Sequence, residues 1–119
     1  MWVYKVKEKA LYYNGTFISE GYSGAVGFKD NPANECLKDK GPIPRGKYTI
    51  GKPFNHPKTK AYTMRLTPSS SNNMCGRDAF MIHGDSTKKP GTASNGCIVL
   101  PLSVRKLICA KNDPHLSVE

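Results

Sequence analysis

The chain has 119 residues, 38% of them hydrophobic and 23% charged, and 18 lysines and arginines against 9 acidic residues give a formal net charge of +9. That length suits one compact domain with a two-layer core, residues 1–119, with no obvious room for a second. No apolar run reaches the 18 or so residues of a membrane-spanning helix, and the start, Met1-Trp2-Val3-Tyr4-Lys5-Val6, lacks the apolar stretch and cleavage site of a signal peptide, so neither feature is expected.

In chain order, Trp2, Tyr4 and Val6 alternate with Val3, Lys5 and Lys7, and Asn14-Gly15 separates two apolar runs, which predicts an N-terminal hairpin over residues 1–20. Residues 21–46 are punctuated by Gly21, Gly24, Gly27, Pro32, Gly41, Pro42, Pro44 and Gly46, so they read as a long loop able to cover a site as a lid, with one helical turn around 33–37. Strands are predicted near 47–51, 62–67, 79–83 and 96–100, with a polar connection at 68–73. One helix is predicted over 102–111, with an apolar stripe of Leu102, Leu107, Ile108 and Ala110 and with Ser103 near its cap. His56 and His115 fall in predicted loops. The whole is mainly β: a small β-sandwich or half-open barrel with one helix directly after the strand that carries Cys97.

The basic charge suits polyanions, whether nucleic acid, anionic lipid or a cell wall with its acidic polymers. The lysines are scattered, with short runs such as Lys58-Thr59-Lys60 and Lys88-Lys89, and no zinc-finger spacing, basic heptad helix or aromatic RNA-binding signature accompanies them, so no specific nucleic-acid partner is expected. The four cysteines, Cys36, Cys75, Cys97 and Cys109, show no Cys-x-x-Cys spacing, so neither a metal nor a cofactor is expected. If Cys97 is kept for chemistry, at most one disulfide forms among Cys36, Cys75 and Cys109, and the spacing leaves the pair open.

His83-Gly84 closes one apolar run, Ala79-Phe80-Met81-Ile82, and Ser94-Asn95-Gly96-Cys97 opens another, Ile98-Val99-Leu100. A cysteine attacks only as thiolate, so a nucleophilic Cys97 needs a neighbouring imidazole, and His83 is the best-placed one. Paired antiparallel, the end of the first run would face the start of the second. The small residues Ser94, Asn95 and Gly96 let the backbone turn sharply and aim N–H groups at a developing oxyanion. The plain alternative is a core histidine and a buried free thiol. Gly84, through its carbonyl, and Asp85, through its carboxylate, are both positioned in sequence to orient the imidazole. Arg77 and Arg105 are of the right type to grip a substrate carboxylate, although each is more often a salt-bridge partner.

Ala79-Phe80-Met81-Ile82-His83-Gly84 followed by Ser94-Asn95-Gly96-Cys97-Ile98 resembles the histidine and Ser-x-Gly-Cys signature of L,D-transpeptidases, enzymes that cross-link and trim peptidoglycan. Pro42-Ile43-Pro44-Arg45-Gly46-Lys47-Tyr48 resembles a turn that precedes a strand in those enzymes, and His83-Gly84-Asp85 with residues 90–94 resembles the variant in L,D-transpeptidase effectors of the type VI secretion system. Two departures stand out: Asn95 occupies the usual position of a histidine, and the interval from base to serine is shorter than the common one.

That resemblance implies an L,D-transpeptidase fold and an antibacterial toxin, made without a signal peptide and acting in the periplasm of a target cell. It implies a thioester on Cys97 formed from a stem tetrapeptide, then transfer to an amine or to water, and it implies secretion-machine components and a cognate immunity protein as partners. Two other readings remain at this point. One is a cysteine hydrolase of another family, although papain-like enzymes place Cys before His. The other is a non-catalytic basic module that binds nucleic acid or a cell-wall polymer.

Overall fold

The structure, a computed structural model, describes residues 1–119. Its strands are β1 (Trp2–Lys5), β2 (Ala10–Tyr13), β3 (Thr16–Glu20), β4 (Tyr22–Ser23), β5 (Gly46–Ile50), β6 (Phe54–His56), β7 (Lys60–Pro68), β8 (Met81–His83), β9 (Ile98–Val99) and β10 (His115–Val118), with one helix, α1 (Leu102–Lys111), before β10. They run in the order β3-β2-β1-β10-β5-β7-β8-β9-β4, with β6 a spur on β7. The two ends of that order, β3 and β4, are consecutive in the chain with only Gly21 between them, so the sheet curls back toward itself as a mainly β, half-open barrel.

Period-2 alternation builds the inside of the curl. Trp2, Tyr4 and Val6 are fully buried while Val3 and Lys5 are half-buried, and Met64, Leu66, Ile82, Ile98, Leu116 and Val118 join them in one core cluster. Asn14-Gly15, both at positive φ, makes the turn between β2 and β3 that the sequence announces. The Tyr4 hydroxyl is the one fully buried side-chain polar atom without a partner.

The helix occupies the predicted residues but is capped otherwise. Pro101 stands at the N-cap with no side-chain bond, so Ser103 does not cap, and Asn112 in the left-handed conformation closes the C-terminus by donating its N–H to the Cys109 carbonyl. Its buried residues are Arg105 and Ile108; Leu102 is 46% exposed and Ala110 is exposed, so the apolar stripe is narrower than the sequence suggests.

β8 and β9 pair in parallel, not antiparallel. Parallel neighbours need a return connection, and residues 84–97 supply it by travelling back along the strand before β9 begins. His56 and His115, read as loop residues, lie in β6 and β10. β10 inserts between β1 and β5, parallel to the first and antiparallel to the second, so both termini are ordered within the sheet.

Candidate active site

The β8–β9 ladder sets the site. It pairs Ile82 with Ile98 and His83 with Val99, and one step back Met81 stands beside Cys97. Ile82 and Ile98 point into the core, so His83 and Cys97 both belong to the opposite, outer face, separated along it by two residues, roughly 7 Å of strand rise. On the other flank β7 pairs Met64 with Ile82 and Arg65 with Met81, and the next step brings buried Thr63 opposite His83.

His83 is 3% exposed, and its Nδ1 lies 2.7 Å from the Gly84 carbonyl oxygen. A carbonyl only accepts, so Nδ1 carries the proton and Nε2 is the basic nitrogen. Burial holds the imidazole pKa below its ordinary value; the Gly84 carbonyl offsets this in part, and the Arg105 guanidinium adds to it. Cys97 is half-buried, with Sγ 4.0 Å from the Ala79 carbonyl oxygen, and no hydrogen bond joins sulfur to ring. Burial pushes the thiol pKa up, while the Met81 N–H and the Arg77 guanidinium pull it back. At neutral pH the pair is therefore thiol plus neutral imidazole.

The turn before Cys97 is fixed from below. Ser94 Oγ donates to the Cys97 carbonyl at 2.6 Å and accepts the N–H groups of Gly96 and Gly24, each at 3.0 Å. Ser23 Oγ donates to the Gly96 carbonyl and accepts the Ile43 N–H, both at 2.8 Å. The Gly96 N–H is thus engaged within the protein, whereas the Cys97 N–H has no partner in the chain and is the donor free to meet an oxyanion. Asn95 is exposed, and its backbone carbonyl accepts from Arg77. Ser23 and Tyr22 carry no signal in the sequence, because two residues between glycines show no periodicity. Residues 41–44, within the expected lid, are buried beneath this turn.

The remaining predicted residues divide. Arg77 is buried, and its Nη1 and Nη2 donate to the carbonyls of Glu35, Gly41, Pro42 and Asn95 at 2.6 to 3.1 Å. Those bonds engage all four of its terminal N–H groups, so it braces the loops and does not grip a substrate carboxylate. Arg105 is held by the carbonyls of Leu100, Ala61 and Tyr62 and forms no salt bridge. Asp85 accepts from Tyr22 Oη at 2.5 Å and from the N–H groups of Ser86 and Gly91, so it ties down the loop while Gly84 makes the contact to the ring. The disulfide is Cys36–Cys75, with Cys109 exposed. No three His, Cys, Asp or Glu side chains gather as metal ligands.

The chain thus carries a cysteine and a carbonyl-held histidine on one face of a small, mainly β, half-open barrel. The chain matches the family model of the Tlde1 domain over residues 18–115, and it belongs to that family of type VI secretion effectors. No curated protein and no solved structure matches the chain. No helix is long and apolar enough to cross a membrane.

Proposed function

We propose that this effector is a peptidoglycan-modifying toxin acting as an L,D-transpeptidase or L,D-carboxypeptidase on stem tetrapeptides. The observation that carries the reading is that His83, at the end of β8, and Cys97, directly before the parallel β9, share one face, with Nδ1 of the ring engaged by Gly84 and Nε2 left unbonded. The motif resemblance over Ala79–Gly84 and Ser94–Ile98 supplies the substrate class.

In this mechanism Nε2 of His83 takes the thiol proton as Cys97 Sγ attacks the carbonyl carbon of the peptide bond before the terminal residue. The Cys97 N–H faces the oxyanion. The imidazolium then protonates the departing amine, the carbon–nitrogen bond breaks, and a thioester remains on Cys97. An incoming amine gives exchange or cross-linking, and water gives trimming. Nδ1 stays on the Gly84 carbonyl throughout, which fixes the ring's tautomer.

The place of action is the periplasm of a target cell, reached through components of the secretion machine, and a producer of such an activity needs an immunity protein that covers the Cys97 face. Purified tetrapeptide muropeptides, incubated with the protein and with a Cys97→Ala control and read by mass spectrometry, test the reading. Loss of terminal D-alanine or a new cross-link that depends on Cys97 is the expected result; unchanged muropeptides discard it.

A further inference from the structure

Next to the candidate site lies a groove of about 460 Å³, with Glu20, Tyr22, Asp85, Val99, Leu102 and Arg105 in its lining. Val99 is the ladder partner of His83 and Asp85 follows the histidine by two residues, so the groove lies toward the His83 end of the ladder, on the side away from Cys97, and runs toward the start of α1.

Arg105 is the unusual group there. It is 7% exposed, Nε donates to the Leu100 carbonyl at 3.0 Å, and Nη1 donates to those of Ala61 and Tyr62 at 3.0 and 3.2 Å. Nη2 has no partner in the protein, yet it is not a sealed orphan, since Tyr4 Oη is the one fully buried unpartnered polar atom; Nη2 therefore meets solvent. No carboxylate lies within ion-pairing distance of the guanidinium. A cation so deeply placed without an anion is costly, and three backbone bonds that aim it leave one N–H pair for a ligand. The position is built: a Cβ on Gly84 would come within 2.6 Å of Nη2, so the residue after the base must be glycine for the guanidinium to lie there.

The rest of the lining narrows the ligand. Glu20 forms no salt bridge, and Asp85 lines the same groove, so a simple anion would meet two carboxylates while a carboxylate that carries its own ammonium would not be repelled. Val99, Leu100 and Leu102 supply an apolar wall for a side chain. Resting on the acyl-transfer reading above, we propose that this groove is the subsite for the amino acid that enters or leaves the acyl-enzyme, with its α-carboxylate held by Nη2 of Arg105. In the entering direction the ammonium first loses one proton to solvent; the free amine then attacks the thioester carbonyl carbon and gives a second proton to Nε2 of His83, the carbon–nitrogen bond forms, the carbon–sulfur bond breaks, and that second proton passes from His83 to the Cys97 sulfur.

The test uses the full-length Cys97→Ala protein, which binds without turning over, titrated by NMR with D-alanine and with D-alaninamide, which lacks the carboxylate. D-Alanine should shift the Arg105 side-chain and Val99 amide signals, and the amide should bind about 10-fold more weakly or worse. Arg105→Gln should abolish the preference for the carboxylate. Because that variant loses three backbone bonds, Leu102→Trp, made at a half-exposed position on the groove's edge, gives a second check and should block D-alanine. Equal binding of acid and amide, shifts confined to other surfaces, or D-alanine binding unchanged by Leu102→Trp overturns the subsite. If D-alanine binds here while wild-type protein leaves muropeptides untouched, the reaction class falls and the subsite stands; if muropeptides are converted without binding here, the reverse holds.

Discussion

Gly96 lies against Arg77 so closely that a Cβ at position 96 would come within 2.6 Å of the guanidinium Nη2, and within 2.8 Å of a Phe80 ring carbon. The φ of Gly96, +149°, is also one that side-chain-bearing residues rarely adopt. This contact sets the turn directly before Cys97, so Gly96→Ala must move either the turn or the buried arginine. A misplacement of about 1 Å is enough to cost a reaction on the order of 100-fold. Turnover by Gly96→Ala should fall by at least about that factor, while far-UV circular dichroism stays native. Wild-type turnover in the alanine variant would show that the turn tolerates the shift and that Arg77 does not position it.

The same guanidinium depends on a cross-link. Cys36–Cys75 joins the segment containing Glu35, whose carbonyl accepts from Arg77, to the segment containing Arg77 itself. The bridged cysteines are 39 residues apart, and constraining a loop of that size in the unfolded chain stabilises the fold by about 3 to 4 kcal/mol. A Cys36→Ser/Cys75→Ser double variant should lose about that much in urea unfolding, and dithiothreitol should bring the wild type to the same midpoint while leaving the variant unmoved. A wild-type midpoint insensitive to reductant would remove the bridge from the stability of this domain.

Tyr4 offers a change in the other direction. Its ring is fully buried in the core while its hydroxyl finds no partner, and burial, with a smaller contribution from the Asp30 charge, pushes its pKa upward. An unmet buried hydroxyl costs about 1 to 3 kcal/mol, a penalty that phenylalanine avoids at nearly the same shape. Tyr4→Phe is expected to leave the fold intact and to raise stability by about 1 kcal/mol in urea or thermal unfolding. A clear loss of stability would mean that the hydroxyl has a partner, such as an ordered water.

The range of the interactions decides which features are legible in the sequence. The Asn14-Gly15 turn, the alternation of Trp2, Tyr4 and Val6, and the span of α1 are local signals, readable within a few residues. β10 and β4 are short, and they exist because of partners about 114 and about 75 residues away, which no window on the sequence contains. The identities of His83 and Cys97 stood out because both flank apolar runs, but the parallel pairing that brings them to one face depends on the path of residues 84–97. Arg77 and Arg105 looked alike as residue types; the number of carbonyls each meets is what separates a brace from a group with a free N–H pair. Ser23, which joins the Gly96 carbonyl to the Ile43 N–H, carries no mark in the sequence at all.

The protonation states of the pair give the last prediction. Burial lowers the His83 pKa below its ordinary 6.5 and raises that of Cys97 above its ordinary 9.0, so a thiolate–imidazolium ion pair is not the resting form. Alkylation of Cys97 by iodoacetamide should therefore keep rising with pH through neutrality to a midpoint above 9.0, with no neutral plateau of the kind that ion-paired thiolates show. Folding stability should carry the histidine's signature. Below 6.5 the unfolded chain binds a proton that buried His83 resists, so the contribution of neutral His83 is complete above 6.5 and is lost as pH falls through the depressed folded value. His83→Gln should flatten that acid slope in urea unfolding measured from pH 7.5 down to pH 5. A slope unchanged in His83→Gln would assign the acid sensitivity to other groups, and a neutral plateau in the alkylation profile would mean that Cys97 is already ionised before substrate arrives.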